Sequence, residues 1–182
     1  MKTMSELEKN RLIGGCVRVL EQGHALLGRL DDRRYADTAG LPVQSGAGSH
    51  MRHCLDCYQS LLEGVWTGRV DYNRRERDAL VARDRACAAA RIEIVIEELR
   101  ALADLPGDTT LVVSPEDADP SCEVTWCAST LARELQFLLS HTVHHYALVA
   151  LILRLQGFEP GEEFGVAPST LAHWRQEALC AR

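Results

Sequence analysis

The stretch LARELQFLLSHTVHHYALVALILRL, running from Leu131 to Leu155, decides the fold. Within it Glu134, Leu138, His141, His145, Leu148 and Ile152 recur at alternating steps of four and three, which places them on one stripe of an α-helix. The stripe is apolar except at the carboxylate and the two imidazoles. Bundle helices turn such a stripe inward, so polar groups on it must be hydrogen-bonded or must bind something. His141 and His145 stand one turn apart, and two imidazoles on one face can reach a single ion at about 2.0–2.1 Å. His144 points about 100° away from His145 and reads as a neighbour, a partner or a surface residue.

Three further helical patterns surround this one. Ile13, Val17, Leu20, His24 and Leu27 form a stripe between Ser5 and about Arg29. Asp31 to Gly48, punctuated by Gly40, Pro42, Gly46 and Gly48, reads as a long loop. A second helix follows, capped by Ser45 or Ser49, and runs to about Val65. Gly48-Ser49-His50-Met51 looks like an expression-tag scar, but it lies inside the chain after a whole helix and is read as native. The mixed charges from Asp71 to Asp78 read as a solvated connection into a third helix, Arg77 to Ala103, with Ile92, Val95, Ile96, Leu99 and Leu102 on its apolar stripe. Thr109 to Val113 is β-branched and apolar, Glu123 to Cys127 partly alternates, and the turn-rich Ser114 to Pro120 lies between them, which predicts a small hairpin. After Leu155, Gly157 and Pro160 stop the last long helix, and Ser169 caps a short one from Thr170 to Ala181.

Four long helices joined by loops of mixed length, without a separating linker, read as an all-α four-helix bundle with added pieces, one domain over residues 1–182. Its core spans about 5–157, and 158–182 form a C-terminal appendage.

Composition narrows the function classes. The chain has 182 residues, 46% of them hydrophobic, and a formal net charge of −6. An acidic balance argues against nucleic acid as a partner, because that affinity comes from clustered Lys and Arg. The longest unbroken apolar run, Tyr146 to Leu153, falls far short of the roughly 20 residues a membrane span needs. The charged N-terminus, MKTMSELEKNRL, lacks the apolar core of a signal peptide. Seven cysteines, an odd number without a secretory signal, point to reduced thiols and a cytoplasmic location.

Five of the seven histidines fall in two groups. The second group is His50-Met-Arg-His53-Cys54-Leu-Asp56-Cys57 on the second helix. His50, His53 and Cys57 share a face and could form a local zinc site, but closed sites draw ligands from two elements, and no second Cys/His pair supplies them. Cys54-Leu-Asp-Cys57 could be a redox pair, although such motifs follow a strand; structural thiols remain the alternative. A sharper reading joins one histidine of this helix to the His141/His145 pair inside the bundle. Three imidazoles then leave positions open, as a catalytic or sensing metal requires, and Zn²⁺ and Ni²⁺ both suit imidazole. His24 reads as a satisfied core histidine or as a pocket residue facing the metal.

The helical order, His53-x-x-Asp56, and His141-x-x-His144-His145 resemble the DinB-like family of damage-inducible, histidine-bearing four-helix bundles. The phrases GRVDYNRRERD (Gly68 to Asp78) and RELQFLLSHTVHHYAL (Arg133 to Leu148) extend the resemblance, which covers about residues 5–157. It implies an up-and-down bundle with a long crossover and a metal triad of His53, His141 and His145. His53 is preferred because it stands three residues before Asp56, with His50, one turn away, as its rival.

Some members of that family are metal-dependent transferases or isomerases that use bacillithiol, mycothiol or glutathione. The resemblance therefore implies one divalent ion, a low-molecular-weight thiol and a small-molecule electrophile. The metal would hold the cosubstrate sulfur as thiolate, whereas a hydrolase would use it to activate water. Glu134 is the candidate for a base or for a partner of a ligand histidine. The alternative from another class is a non-catalytic metal-binding, stress-response module acting through a partner or as a homodimer.

Overall fold

A computed structural model describes residues 6–38, 42, 44–114 and 125–180. The chain is mainly helical, with α1 at Glu6–Arg29, α2 at Asp32–Ala36, α3 at Ala47–Gly64, α4 at Ala79–Arg83, α5 at Arg85–Ala101, α6 at Leu131–Leu155 and α7 at Pro168–Cys180. Three short strands join them: β1 at Arg69–Asp71, β2 at Thr110–Ser114 and β3 at Cys127–Thr130.

The long helices α1, α3, α5 and α6 form the bundle, with α1 and α3 each packed against both α5 and α6. Their directions follow from which ends meet. Lys9, fully buried in the first turns of α1, donates to the carbonyls of Ala103 and Leu105 where α5 has ended, so these helices are antiparallel. Cys16 reaches the Leu135 carbonyl at 3.4 Å, and Gly23 lies against Tyr146, so α1 and α6 run in the same direction. His53 meets His141 and His50 meets His145, which makes α3 and α6 antiparallel. Consequently α3 and α5 are parallel, and the strict up-and-down alternation is broken once. The segment from Tyr72 to Asp84 is the crossover that makes this possible.

A buried face on each helix closes one continuous core that runs from Ile13 to Phe164. Val17, Leu20, Leu27, Ile92, Val95, Leu99, Leu138 and Ile152, picked out by their spacing, are all buried. By length and composition α6 could cross a membrane; in this fold it packs on α1 and α3.

Several boundaries differ from the sequence expectation. The expected third helix is two helices. Asp84 lies between them in extended backbone (φ −112°, ψ 111°), and its carboxylate accepts from the Ala86 and Cys87 amides at 2.8 and 3.0 Å. An aspartate gains more as an N-cap than inside a helix, which breaks the run at that point. The expected loop contains α2, capped by Asp31. Gly46, not a serine, precedes α3. The C-terminal helix begins at Pro168, where a missing N–H costs nothing, and so includes Ser169 in its first turn.

The fold is mainly α rather than all-α. β2 pairs antiparallel with β3, Thr110 opposite Thr130 and Val113 opposite Cys127, so the hairpin's second strand lies later than expected. Glu123 and Val124 lie outside the described residues. β1 adds to β2 in parallel, Val70 opposite Val113. The reason is topological. α3 and α5 end at the same end of the bundle, so the residues following each helix lie side by side.

Candidate metal centre

Two helices bring the histidines together. α3 carries His50 and His53, and the facing stretch of α6 carries His141 and His145. The Nε2 atoms of His53 and His141 are 3.2 Å apart, and those of His145 and His141 are 3.0 Å apart. All three residues are half-buried, and one nitrogen of each lies within 4.8 Å of the others. Ligands at about 2.05 Å from one ion are separated by roughly 2.9 Å in an octahedron and 3.3 Å in a tetrahedron. The two spacings from His141, 3.0 and 3.2 Å, fall between those limits, and the third lies within 4.8 Å. This triad could hold a metal ion; among the described residues it is the one His, Cys, Asp and Glu group of that geometry.

His50 also reaches the cluster, but from the other side of a ring. Its Nδ1 is 2.9 Å from Nδ1 of His145. Burial first, and then the surrounding His53, His141, His50 and His144, push His145 down to about 3. Burial and His144 lower His50 as well. Phe137, one turn before His141, lies nearly parallel to its ring at 14°, with centroids 5.2 Å apart. His144 is exposed.

Glu134 sits elsewhere in the hydrogen-bond pattern. It is fully buried and accepts from the Tyr72 hydroxyl at 2.9 Å, from the Ser129 hydroxyl, and from Arg133 at 2.9 Å. These bonds tie α6 to β3 and to the start of the crossover, and none runs to a histidine. Tyr72 was the unexpected partner. It lies between Asp71 and Asn73 in a polar, mixed-charge run, yet it is 3% exposed, and its ring meets Phe137 at a centroid distance of 5.6 Å. An aromatic in the middle of a charge run is the one signal that could have marked it.

Cys54 and Cys57 are buried in the core and not joined in a disulfide, and the Arg75 guanidinium donates to the Cys57 sulfur at 3.6 Å. Burial, followed by the neighbouring Cys57, holds the Cys54 thiol well above its ordinary range. That is the environment of an inert structural thiol rather than of a reactive one. Asp56 pairs with Arg52 at 3.4 Å. His24 is neither in the core nor at the cluster; it pairs with Glu93 of α5 at 3.0 Å on the bundle surface. Cys122 lies outside the described residues.

No protein-family model matches the chain. A stretch of 109 residues, 59% of the chain, is 32% identical to FK506-binding protein 5 of Rhizopus delemar. The chain spans 28% of that relative's length.

Proposed function

We propose that this chain is a DinB-like protein that holds one divalent ion, Zn²⁺ or Ni²⁺, on Nε2 of His53, His141 and His145, and that it acts as a metal-dependent enzyme of thiol-transferase type. The convergence of three Nε2 atoms from two helices supports this most strongly. A ring nitrogen either donates one hydrogen bond or accepts through one lone pair. His141 Nε2 faces two other Nε2 atoms, so no assignment of protons makes both contacts favourable and linear at once. A cation between the three lone pairs satisfies all of them.

Three protein nitrogens leave room for a further ligand on the ion. When bound, the metal supplies Lewis acidity that keeps a coordinated thiol ionised near neutral pH. The chain supplies the rest. Burial favours the neutral form of His145, Phe137 lines the cluster beside His141, and partial exposure of the histidines keeps a route from solvent.

The test is metal analysis of the purified protein followed by incubation of the loaded protein with an electrophile and glutathione, bacillithiol or mycothiol in turn. Turnover that needs both thiol and metal is expected. The absence of metal-dependent turnover over a broad electrophile panel would overturn the enzymatic part. It would favour a metal-binding module that associates with a partner or with a second copy. One observation supports that second reading: Leu151 and Leu155, one turn apart on α6, are 54% and 52% exposed.

A further inference from the structure

We infer that His50 is a positioning residue for the triad: its Nδ1 accepts the proton on Nδ1 of His145 and so holds His145 with Nε2 turned toward His53 and His141. This inference rests on the metal-binding reading above.

The argument is one of proton accounting. A neutral imidazole has one N–H and one lone pair. If Nε2 of His145 gives its lone pair to a metal, the proton must sit on Nδ1. The atom facing that Nδ1 is Nδ1 of His50, at 2.9 Å. Two nitrogens at that distance share one proton, so His50 must accept there and carry its own proton on Nε2. The tautomers of both rings follow from a single contact.

The same geometry separates this role from that of a ligand. His50 approaches the edge of His145 that faces away from His141, whereas His53 approaches His141 through Nε2. α3 therefore supplies both a candidate ligand, His53, and, one turn earlier, the group that orients a candidate ligand on α6. Partners of this kind typically change metal affinity 10- to 100-fold when removed.

The experiment measures Zn²⁺ affinity by chelator competition on the full chain for wild type, His50→Ala and His50→Asn, with His141→Ala as the ligand control. An asparagine Oδ1 falls close to where Nδ1 stood and can only accept. His50→Ala should bind one Zn²⁺ roughly 10- to 100-fold more weakly, and His50→Asn should recover most of that loss. Unchanged affinity in His50→Ala overturns the inference while the triad stands. Loss of the ion in both His50 variants, as complete as in His141→Ala, makes His50 a ligand and also overturns it. A wild type that binds no Zn²⁺ removes the metal reading itself. Should the variants fail to fold, ¹⁵N NMR of the zinc-loaded wild type decides the matter. Protons are expected on Nδ1 of His145 and Nε2 of His50, and a proton on Nδ1 of His50 refutes the assignment.

Discussion

His53 and His141 face each other across the α3–α6 interface with their Nε2 atoms 3.2 Å apart, although 88 residues separate them in the chain. His141 Nε2 also faces Nε2 of His145 at 3.0 Å, so one proton on it cannot serve both contacts in good geometry, whereas a cation among the three lone pairs can. Replacing any one of His53, His141 or His145 with Ala should therefore abolish tight, stoichiometric metal binding. Added Zn²⁺ should raise the melting temperature of the wild type, since a ligand at 100 times its Kd adds about 2.7 kcal/mol. Elemental analysis and thermal melts with and without a chelator check both. Full metal occupancy in all three variants would sink the triad.

The apo protein should lose stability in mild acid, and the sign follows from the histidines. His145 is pushed down to about 3 and His50 is also lowered, chiefly by burial. In the unfolded chain both rings titrate near about 6.5. Below that pH the unfolded state binds more protons than the folded one, so stability is fully present above about 6.5 and declines as pH falls toward about 3. Melts in chelator between pH 7.5 and pH 4.5 should show this decline, and His145→Ala should show a shallower one. A melting temperature independent of pH would contradict the assigned environment.

The parts legible in the sequence share one property, a period that repeats often enough to be counted. The α6 stripe from Glu134 to Ile152 repeats through about five turns and the α1 stripe from Ile13 to Leu27 through about four, so both helices and the facing histidines could be placed. His53 was preferred over His50 only through a family resemblance, because His50 and His53 lie on one face of α3 and periodicity cannot rank them. The break at Asp84 was hidden because an aspartate inside a charged, helix-permissive run has the same composition whether it caps a helix or continues one. β1 was hidden for a different reason. Three residues are too few to show alternation, and a parallel partner 43 residues away leaves no local trace. Tyr72 was misplaced with it, since its burial depends on Glu134, which lies 62 residues further along the chain.

Glu134 should behave as a structural carboxylate. It holds the Tyr72 and Ser129 hydroxyls and Arg133 at the junction of α6, β3 and the crossover. Glu134→Ala strands the buried Tyr72 donor, a loss on the order of 1–3 kcal/mol, with more if Ser129 is stranded too. The melting temperature should fall, while Zn²⁺ stoichiometry stays at one per chain. A variant with unaltered melting temperature and abolished turnover would instead assign the carboxylate to the chemistry.

Two glycines should respond to alanine with opposite signs. A Cβ on Gly28, near the end of α1, meets nothing within 4 Å. Gly28→Ala should therefore gain roughly 0.5–1 kcal/mol by removing helix-disfavouring backbone freedom. A Cβ on Gly48 would stand 2.1 Å from the Ala82 carbonyl oxygen and 3.0 Å from the Tyr35 ring. Backbone cannot turn aside as a side chain can, so α4 must move away, at a cost of about 1–3 kcal/mol. Gly48 also lies two residues before His50, so a displaced first turn of α3 carries that histidine with it. Gly48→Ala should accordingly lower both the melting temperature and Zn²⁺ affinity, whereas Gly28→Ala should raise the first and leave the second unchanged. Equal responses at the two positions would mean that the close approach of α3 to α4 does not set the position of His50.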